Sequence, residues 1–543
     1  MEFINNPFFE FAAILIIAAI AGLIGQKLKQ PLVVAFIGVG IVVGPYGLDL
    51  LYSIDKIHLL ADLGIAILLF AVGLKLDLSL IRSTGKVALL TGLGQVLFTS
   101  FFGYFIATSL GYSSVISLYI AVALTFSSTI IIVKLLSDKK EIDSLHGQIS
   151  IGFLIVQDIV VILVMIFLSA LGTETITNPW FEISLVVVKG LLMLAGIGLM
   201  MRYVLPYIMK SMANSQELMV LFSISWALIL AALGDFLGFS KEVGAFLAGI
   251  SLASTEYREI ISAKMTTLRD FLLLFFFVNL GAQLDLSLVD QQILPAVILS
   301  LFVLVGNPVI VLIIMGIMGY RKRTSFLAGL AVAQISEFSL ILASLGLKLG
   351  HINDEAMGMI TLVGLITIGL STYMIIYSHQ IFDFVAPVLG IFEKKNTYRE
   401  ISVKQAEIIH IDVIIFGLGR YGNNIALSLE QEGRIVMGVD FDPKAVERWK
   451  HMGRLAQLGD AEDPDLHEIL PLSRTKLIIS TLPDYNINLY LLKTLKANKY
   501  QGRIALTQHQ PDYAHKLMEA GADLILFPYT DAVENIIEKL GCL

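Results

Sequence analysis

Apolar residues in this chain run in long unbroken stretches, not in the alternation of a half-buried strand or the one-sided stripe of a soluble helix. The stretches fall at 8–26, 32–51, 57–74, 86–110, 115–136, 147–171, 183–206, 216–234, 240–256, 267–284, 291–319, 324–346 and 355–380. Each lies near the ~20 residues that a helix needs to cross a bilayer, so the pattern predicts about thirteen spans. Beyond residue 392 it changes. Glu393–His410 is charged and polar, a linker that begins as an amphipathic helix, and after it short apolar runs alternate with helical patterns. The predicted fold class is an α-helical polytopic membrane protein followed by a C-terminal α/β Rossmann-type domain. The boundaries are 1–392 for the membrane domain, 393–409 for the linker and 410–543 for the α/β domain.

Composition agrees. Of 543 residues 56% are hydrophobic and 15% charged, with a mean hydropathy of +0.80, which excludes an ordinary soluble protein. The N-terminal segment lacks a basic leader and a small-residue cleavage site, so it reads as a first span. Lys27, Lys75, Lys134, Arg202, Arg258, Arg321 and Lys394 all fall in alternate loops, which the positive-inside rule places in the cytoplasm. The N-terminus is then outside, and the C-terminal domain is cytoplasmic. A single cysteine, Cys542, supplies neither a disulfide framework nor a thiolate metal site. Nothing points to nucleic acid as a partner.

The membrane half repeats itself. Gly73–Ile81 (GLKLDLSLI) returns as Gly281–Val289 (GAQLDLSLV), with Asp77 and Asp285 separated by 285 − 77 = 208 residues. Ala35–Ile41 and Ala245–Ser251 echo each other at nearly the same spacing. Seven predicted spans separate the copies, so they run in opposite directions through the membrane. Inverted repeats of this kind characterise secondary transporters, with the ion site at the midplane between the halves.

Within the sixth predicted span, Gln157 and Asp158 interrupt Ser150–Ile166. A carboxylate at the bilayer centre costs roughly 2.5–3.5 kcal/mol on insertion scales. Burial favours its protonated form and an incoming cation favours its ionised one, which is the minimal chemistry of an exchanger. An acid that only pairs with a base to hold helices together is the plainer alternative. The 208-residue offset maps Thr125–Thr129 (TFSST) onto Ala333–Glu337 (AQISE) and pairs Ser128 with Ser336. Hydroxyl clusters in apolar spans can satisfy backbone freed where a helix unwinds. Two broken helices crossing near Asp158 are therefore expected, with Thr125, Ser127, Ser128 and Glu337 joining Gln157 and Asp158 in binding cation and proton. No resident metal is expected, only the transported monovalent cation.

In the C-terminal domain an apolar strand leads into Gly417-x-Gly419-x-x-Gly422, then a helical pattern, then a second strand ending at Asp440. Strand, glycines, helix, strand and terminal acid form a dinucleotide-binding fingerprint. The glycines allow a tight turn, close approach to a pyrophosphate and close packing of helix on strand. Asp440 would accept from ribose hydroxyls, favouring NAD(H) or AMP over NADP. Arg420, Asp460 and Thr481 complete the candidate nucleotide site.

Gln157-Asp158, GAFLAG (Gly244–Gly249), TFSST, GLGRYG, VDFDP and GDAED together resemble the monovalent cation:proton antiporter-2 family. The similarity is to Kef-type potassium efflux systems carrying a Trk/RCK-type nucleotide-binding domain. The resemblance implies a homodimer in the lipid of a cell membrane. It also implies Asp158 as the alternating site for H+ and K+ or Na+, and a regulatory nucleotide on Gly417, Gly419, Gly422 and Asp440. Glutathione-gated members carry an arginine-rich strand where this chain reads ALTQHQ (Ala505–Gln510), so that site is not carried over. A nucleotide-gated potassium channel would need a TVGYG-like filter, which the sequence lacks. A membrane-bound NAD-dependent oxidoreductase would need a redox centre that no residue pattern supplies. The expected function is transport, not enzymatic catalysis.

Overall fold

The computed structural model describes residues 7–75, 78–171, 179–212, 215–237, 239–284, 289–394, 411–463 and 470–541. Asp77, Asp285, Cys542 and most of the expected linker helix lie outside these residues. The chain divides into two compact units. One holds Met1–Leu135, Ile149–Ile314 and Phe326–Asp383; the other holds Leu136–Gln148, Met315–Ser325 and Phe384–Leu543.

The first unit is helical. In chain order its helices and the connectors between them run α1 (Pro7–Lys27), α2 (Leu32–Val43), α3 (Ile54–Lys75), α4 (Leu78–Ser109), α5 (Ser114–Ala123), α6 (Thr129–Asp138) and α7 (Leu145–Leu171). They continue as α8 (Pro179–Leu199), α9 (Leu205–Met212), α10 (Gln216–Phe236), α11 (Lys241–Ala253), α12 (Arg258–Ala282), α13 (Val289–Leu301) and α14 (Asn307–Ile317). The series ends with α15 (Lys322–Leu330), α16 (Glu337–Lys348), α17 (Asp354–Ile376) and α18 (Ser378–Leu389). Among the described helical segments eight are long and apolar enough to span a bilayer. The other five expected stretches are occupied by the short α2 and α11, the more charged α12, and two spans split into α5–α6 and α15–α16.

Proline explains two irregular turns. Met200–Val204, between α8 and α9, and Phe302–Gly306, between α13 and α14, are π-helical, and each ends two residues before a proline, Pro206 or Pro308. A proline lacks an N–H and its ring clashes with the carbonyl four residues back, here that of Arg202 or Leu304. Widening the turn relieves the clash without ending the helix.

The repeats seen in the sequence are visible as reciprocal crossings. A Cβ on Gly40 of α2 would overlap the Val278 carbonyl and come within 2.8 Å of Gly281 Cα in α12. A Cβ on Gly249 of α11 would overlap the Phe70 carbonyl and come within 2.9 Å of Gly73 Cα in α3. Gly40 and Gly249 lie 209 residues apart and Gly73 and Gly281 lie 208 apart, within a residue of one repeat spacing, so one helix crossing occurs twice with its partners exchanged. Between these crossings and α5, α7, α16 and α17 lies a core that includes Leu69, Phe126, Phe276, Phe277, Leu340 and Ile360.

The second unit contains a six-stranded parallel sheet. Its elements are β1 (Val413–Phe416), α19 (Arg420–Gln431), β2 (Val436–Asp440), α20 (Pro443–His451), β3 (Leu455–Leu458) and β4 (Leu477–Ser480). They continue with α21 (Tyr485–Ala497), β5 (Arg503–Thr507), α22 (Pro511–Glu519), β6 (Leu524–Leu526) and α23 (Pro528–Gly541). The strand order is β3-β2-β1-β4-β5-β6, the doubly wound order in which the chain reverses direction across the sheet beside β1. Buried Ile414, Phe416, Val439 and Ile478 read as continuous apolar runs because helices cover both faces. The unit also includes two connectors that the sequence assigns to the membrane domain: residues 136–148, joining α6 to α7, and 315–325, joining α14 to α15.

Alanine at Gly40 or Gly249 should overpack these crossings at about 1–3 kcal/mol, lowering the Tm of the detergent-solubilised protein. Gly198→Ala, where a Cβ would meet nothing within 4 Å, should leave Tm unchanged or slightly raised.

Candidate ion-exchange site and nucleotide cleft

Both split spans unwind where the sequence places its hydroxyl clusters. After α5 the Thr125 hydroxyl donates to the Val122 carbonyl at 2.7 Å, ending the helix locally. Ser128 Oγ then accepts from Ile131 N at 3.3 Å and caps α6. In the second span Ser336 Oγ accepts from Phe338 N at 3.1 Å and caps α16, while Ile335 N donates to the Thr367 hydroxyl. Each cap leaves a half-helix with its positive end inside the membrane unit.

An acid faces each end. The Thr129 hydroxyl, on the first residue of α6, donates to Asp158 Oδ2 at 2.9 Å. Glu337, the first residue of α16, accepts from Ser128 Oγ at 2.9 Å and from Ser336 Oγ at 3.4 Å. Two serines related by the repeat therefore converge on one carboxylate. Glu337 is buried, whereas Asp158 keeps partial exposure. Among the described residues no lysine or arginine pairs with Asp158, so the alternative of an acid clasped by a base is not what the geometry gives.

The remaining expected residues divide. Ser127 is buried and its hydroxyl makes no hydrogen bond, an orphan that ordinarily costs about 1–3 kcal/mol. Its amide donates to Gln157 Oε1 at 3.1 Å, which puts Ser127 beside the Gln157–Asp158 pair. The Thr125 hydroxyl is spent on its own helix end and does not reach Asp158.

Gln157 opens a chain of contacts that motif reading missed. Its Nε2 donates to Gln95 Oε1 at 2.7 Å, and Gln95 Nε2 donates to Thr99 Oγ1 at 3.0 Å. The Thr99 hydroxyl donates to Asn307 Oδ1 at 2.6 Å. Asn307 Nδ2 donates to the Leu124 and Val332 carbonyls at 3.4 and 3.2 Å, one in each break. Thr129, Gln95, Thr99 and Asn307 are thus additions to the site. A signal was present: Gln95 and Thr99 sit four apart in an apolar span, and the 208-residue offset carries Thr99 onto Asn307.

In the second unit Gly417 adopts φ +91°, which lets the chain turn at the end of β1. A Cβ there would sit 2.5 Å from Thr481 Oγ1, and one on Gly422 would overlap the Gly417 carbonyl. A Cβ on Gly419 would meet nothing within 4 Å, so this is the open side of the loop, and Arg420 beside it is exposed. Asp440 spans the turn, accepting from Leu418 N at 2.7 Å and Asp442 N at 2.9 Å. Burial pushes its carboxyl above the usual carboxylate range, opposed by those two N–H groups. Thr481 donates its hydroxyl to the Phe416 and Gly417 carbonyls at 3.0 and 2.9 Å and so pins the loop from β4.

Asp460 has both oxygens engaged within the protein. Oδ1 accepts from Glu462 N at 3.0 Å, and Oδ2 pairs with Arg323 at 2.9 Å. Next to it Arg321 pairs with Asp463 at 2.8 Å, both buried, and Gln148 Nε2 donates to Asp442 Oδ1 at 3.3 Å. Both connectors therefore grip the loops that follow β2 and β3.

Residues 14–376 match the transmembrane domain of sodium/hydrogen exchangers, and residues 413–528 match the TrkA-N domain. YbaL of Escherichia coli (strain K12), whose name describes a candidate cation/proton antiporter, is 24% identical over 97% of this chain and 96% of its own. The glutathione-regulated potassium-efflux system protein KefC of Escherichia fergusonii is 26% identical over 93% of this chain and 80% of its own. Among solved structures, the sodium proton antiporter MjNhaP1 of Methanocaldococcus jannaschii superposes with a TM-score of 0.51 at 16% identity. It covers 72% of this chain and 99% of that one, and shares the fold. This is the domain pairing that the resemblance to Kef-type systems implied, and with more than half of its length matched the chain belongs to the sodium/hydrogen exchanger family.

Proposed function

We propose that this protein is a monovalent cation/proton antiporter that takes up K+, or Na+, and H+ in alternation at Asp158. The observation that carries the reading is the setting of that carboxylate. It is held by one hydroxyl at the positive end of a half-helix, remains partly exposed, is unpaired with any described base, and lies beside the orphaned Ser127 hydroxyl. A cation arriving at Asp158 would give that hydroxyl oxygen a partner, and protonation would release the cation. Glu337, buried between two serines, is a second acid able to balance the end of α16. K+ is favoured because KefC is named for potassium efflux, while the family at large is named for sodium.

In the same proposal the protein is a homodimer in the cell membrane, with its N-terminus outside and the TrkA-N domain in the cytoplasm. That domain binds NAD(H) or AMP and sets the exchange rate. The open backbone at Gly419 and Arg420 would receive phosphate at the start of α19, and Asp440 would accept from ribose hydroxyls. The route to the membrane unit is short in sequence. Connector 136–148 joins the helices bearing Thr129 and Asp158, and connector 315–325 follows the helix bearing Asn307. A nucleotide biases exchange only by binding one transport state more tightly than the other.

In proteoliposomes the wild-type protein should dissipate an imposed ΔpH when K+ or Na+ is added, with saturation, and Asp158→Asn should abolish this. Wild-type flux in that variant would refute the site. NADH or AMP at a hundred times its Kd should stabilise the full-length protein by about 2.7 kcal/mol, seen as a rise in Tm that Asp440→Ala removes. Because the Asp440 carboxyl titrates above its ordinary value of about 3.9, nucleotide affinity should begin to fall at a higher pH than for a surface aspartate as the solution is acidified. Arg323→Gln should leave nucleotide binding in place while flux loses its response to nucleotide; an unchanged response would discount the connector route.

A further inference from the structure

We infer that Thr99 and Asn307 are positioning residues of the exchange site, fastening the two helix breaks to each other and to the residue beside Asp158. The inference rests on the proposed reading of Asp158 and assigns a mechanism for holding it.

The chain Ser127 N, Gln157, Gln95, Thr99, Asn307 and the Leu124 and Val332 carbonyls is buried throughout. Its ends are backbone groups whose roles cannot be exchanged: an N–H can only donate and a carbonyl can only accept. That fixes every link between them. Gln157 must accept with Oε1 and donate with Nε2, which obliges Gln95 to do the same. Thr99 must then accept from Gln95 and donate to Asn307, whose amide faces the two carbonyls. Each side chain has one permitted orientation.

Three consequences follow. First, both ends of the Gln157 amide are engaged, Oε1 by the Ser127 amide in the first break and Nε2 by Gln95, so the side chain is held in one orientation beside Asp158. Second, none of the links titrates in the ordinary pH range, so the chain keeps its geometry while Asp158 gains and loses charge. Third, Thr99 and Asn307 are separated by the repeat offset of 208 residues, so each touches its own mate. Mates can touch only close to the pseudo-two-fold axis. Ser128 and Glu337, 209 residues apart, also touch. The axis therefore passes close to the Thr99–Asn307 contact, where the inverted halves meet, whereas the Ser128–Glu337 contact joins residues one position out of that register.

The test uses the full chain in proteoliposomes, with K+ as the probe and with KM, maximal flux and pH profile all measured. Thr99→Val strands Gln95 Nε2 and Asn307 Oδ1, and Asn307→Ala frees a carbonyl in each break. Each should raise KM about tenfold with maximal flux within a few-fold of wild type, and Thr99→Ser should restore KM. The double variant Thr99→Val/Asn307→Ala should be no worse than the poorer single one, because both cut one chain. Gln95→Glu keeps shape and volume, guarding against a variant that fails to fold. Ionised, it cannot donate to Thr99, so its KM should be raised at high pH and approach wild type at low pH. The inference is overturned by wild-type KM in Thr99→Val, by equal impairment of the Ser and Val variants, by additive losses in the double variant, or by a pH-independent KM in Gln95→Glu. A wild-type protein that moves no protons in response to K+ or Na+ fails the underlying reading instead, and the Asp158→Asn control tells the two failures apart.

Discussion

Backbone that leaves a helix inside a membrane has no water to bond with, and this constraint organises the first unit. Two spans unwind in their middles, and each freed group then needs a partner supplied from within the protein. Ser128 and Ser336 cap the second halves, Thr367 reaches the Ile335 amide, and one asparagine serves a carbonyl from each break. The reward is two half-helix ends that stabilise negative charge where lipid would not. Asp158 and Glu337 are tolerable in an apolar surround because the breaks exist, and the breaks are tolerable because neighbouring side chains complete them. Site and fold are here a single hydrogen-bonding problem with one solution.

The second unit answers a different problem, the handling of charge near a binding cleft. Arg321 and Asp463 are both buried, which costs desolvation that their mutual contact has to offset. Such pairs are poor sources of stability but strict about geometry, since moving either member strands a charge. Joined with Arg323–Asp460 and Gln148–Asp442, they tie membrane connectors to the loops at the carboxyl ends of β2 and β3. Ligands of doubly wound sheets bind at that edge.

How much of this could be read from the chain depended on whether a residue's partner was implied by pattern. Asp158 stood out because an acid in an apolar run is expensive, and Gly417, Gly419, Gly422 and Asp440 because their spacing is tied to a βαβ turn. The inverted repeat was legible in two short echoes, and the exchanged glycine crossings follow from it. Thr99 and Asn307 were not singled out: an isolated polar residue in an apolar span resembles any helix–helix contact until its partner is known. Gln157 was read by its neighbour, as an ion ligand beside an acid, and its bonds to the Ser127 amide and to Gln95 could not be read from that position alone. Asp460 was read by analogy with nucleotide sites, and only the fold brings Arg323 to it. The split of two spans left a trace in their hydroxyl clusters, but helix length alone gave no sign of it.

The widened turn at Phe302–Gly306 bears on all of this through simple angular arithmetic. An α-helix advances about 100° per residue, so one additional residue in a turn leaves everything beyond it rotated by that amount relative to a regular continuation. Asn307 is the first residue after the turn. Counted along an uninterrupted helix from α13, it would be assigned to a different face from the one on which it meets Thr99. The proline that spoils the helix therefore also sets the phase at which its asparagine points inward, and shortening that turn by one residue would swing the amide away from both breaks while leaving the span the right length to cross the bilayer.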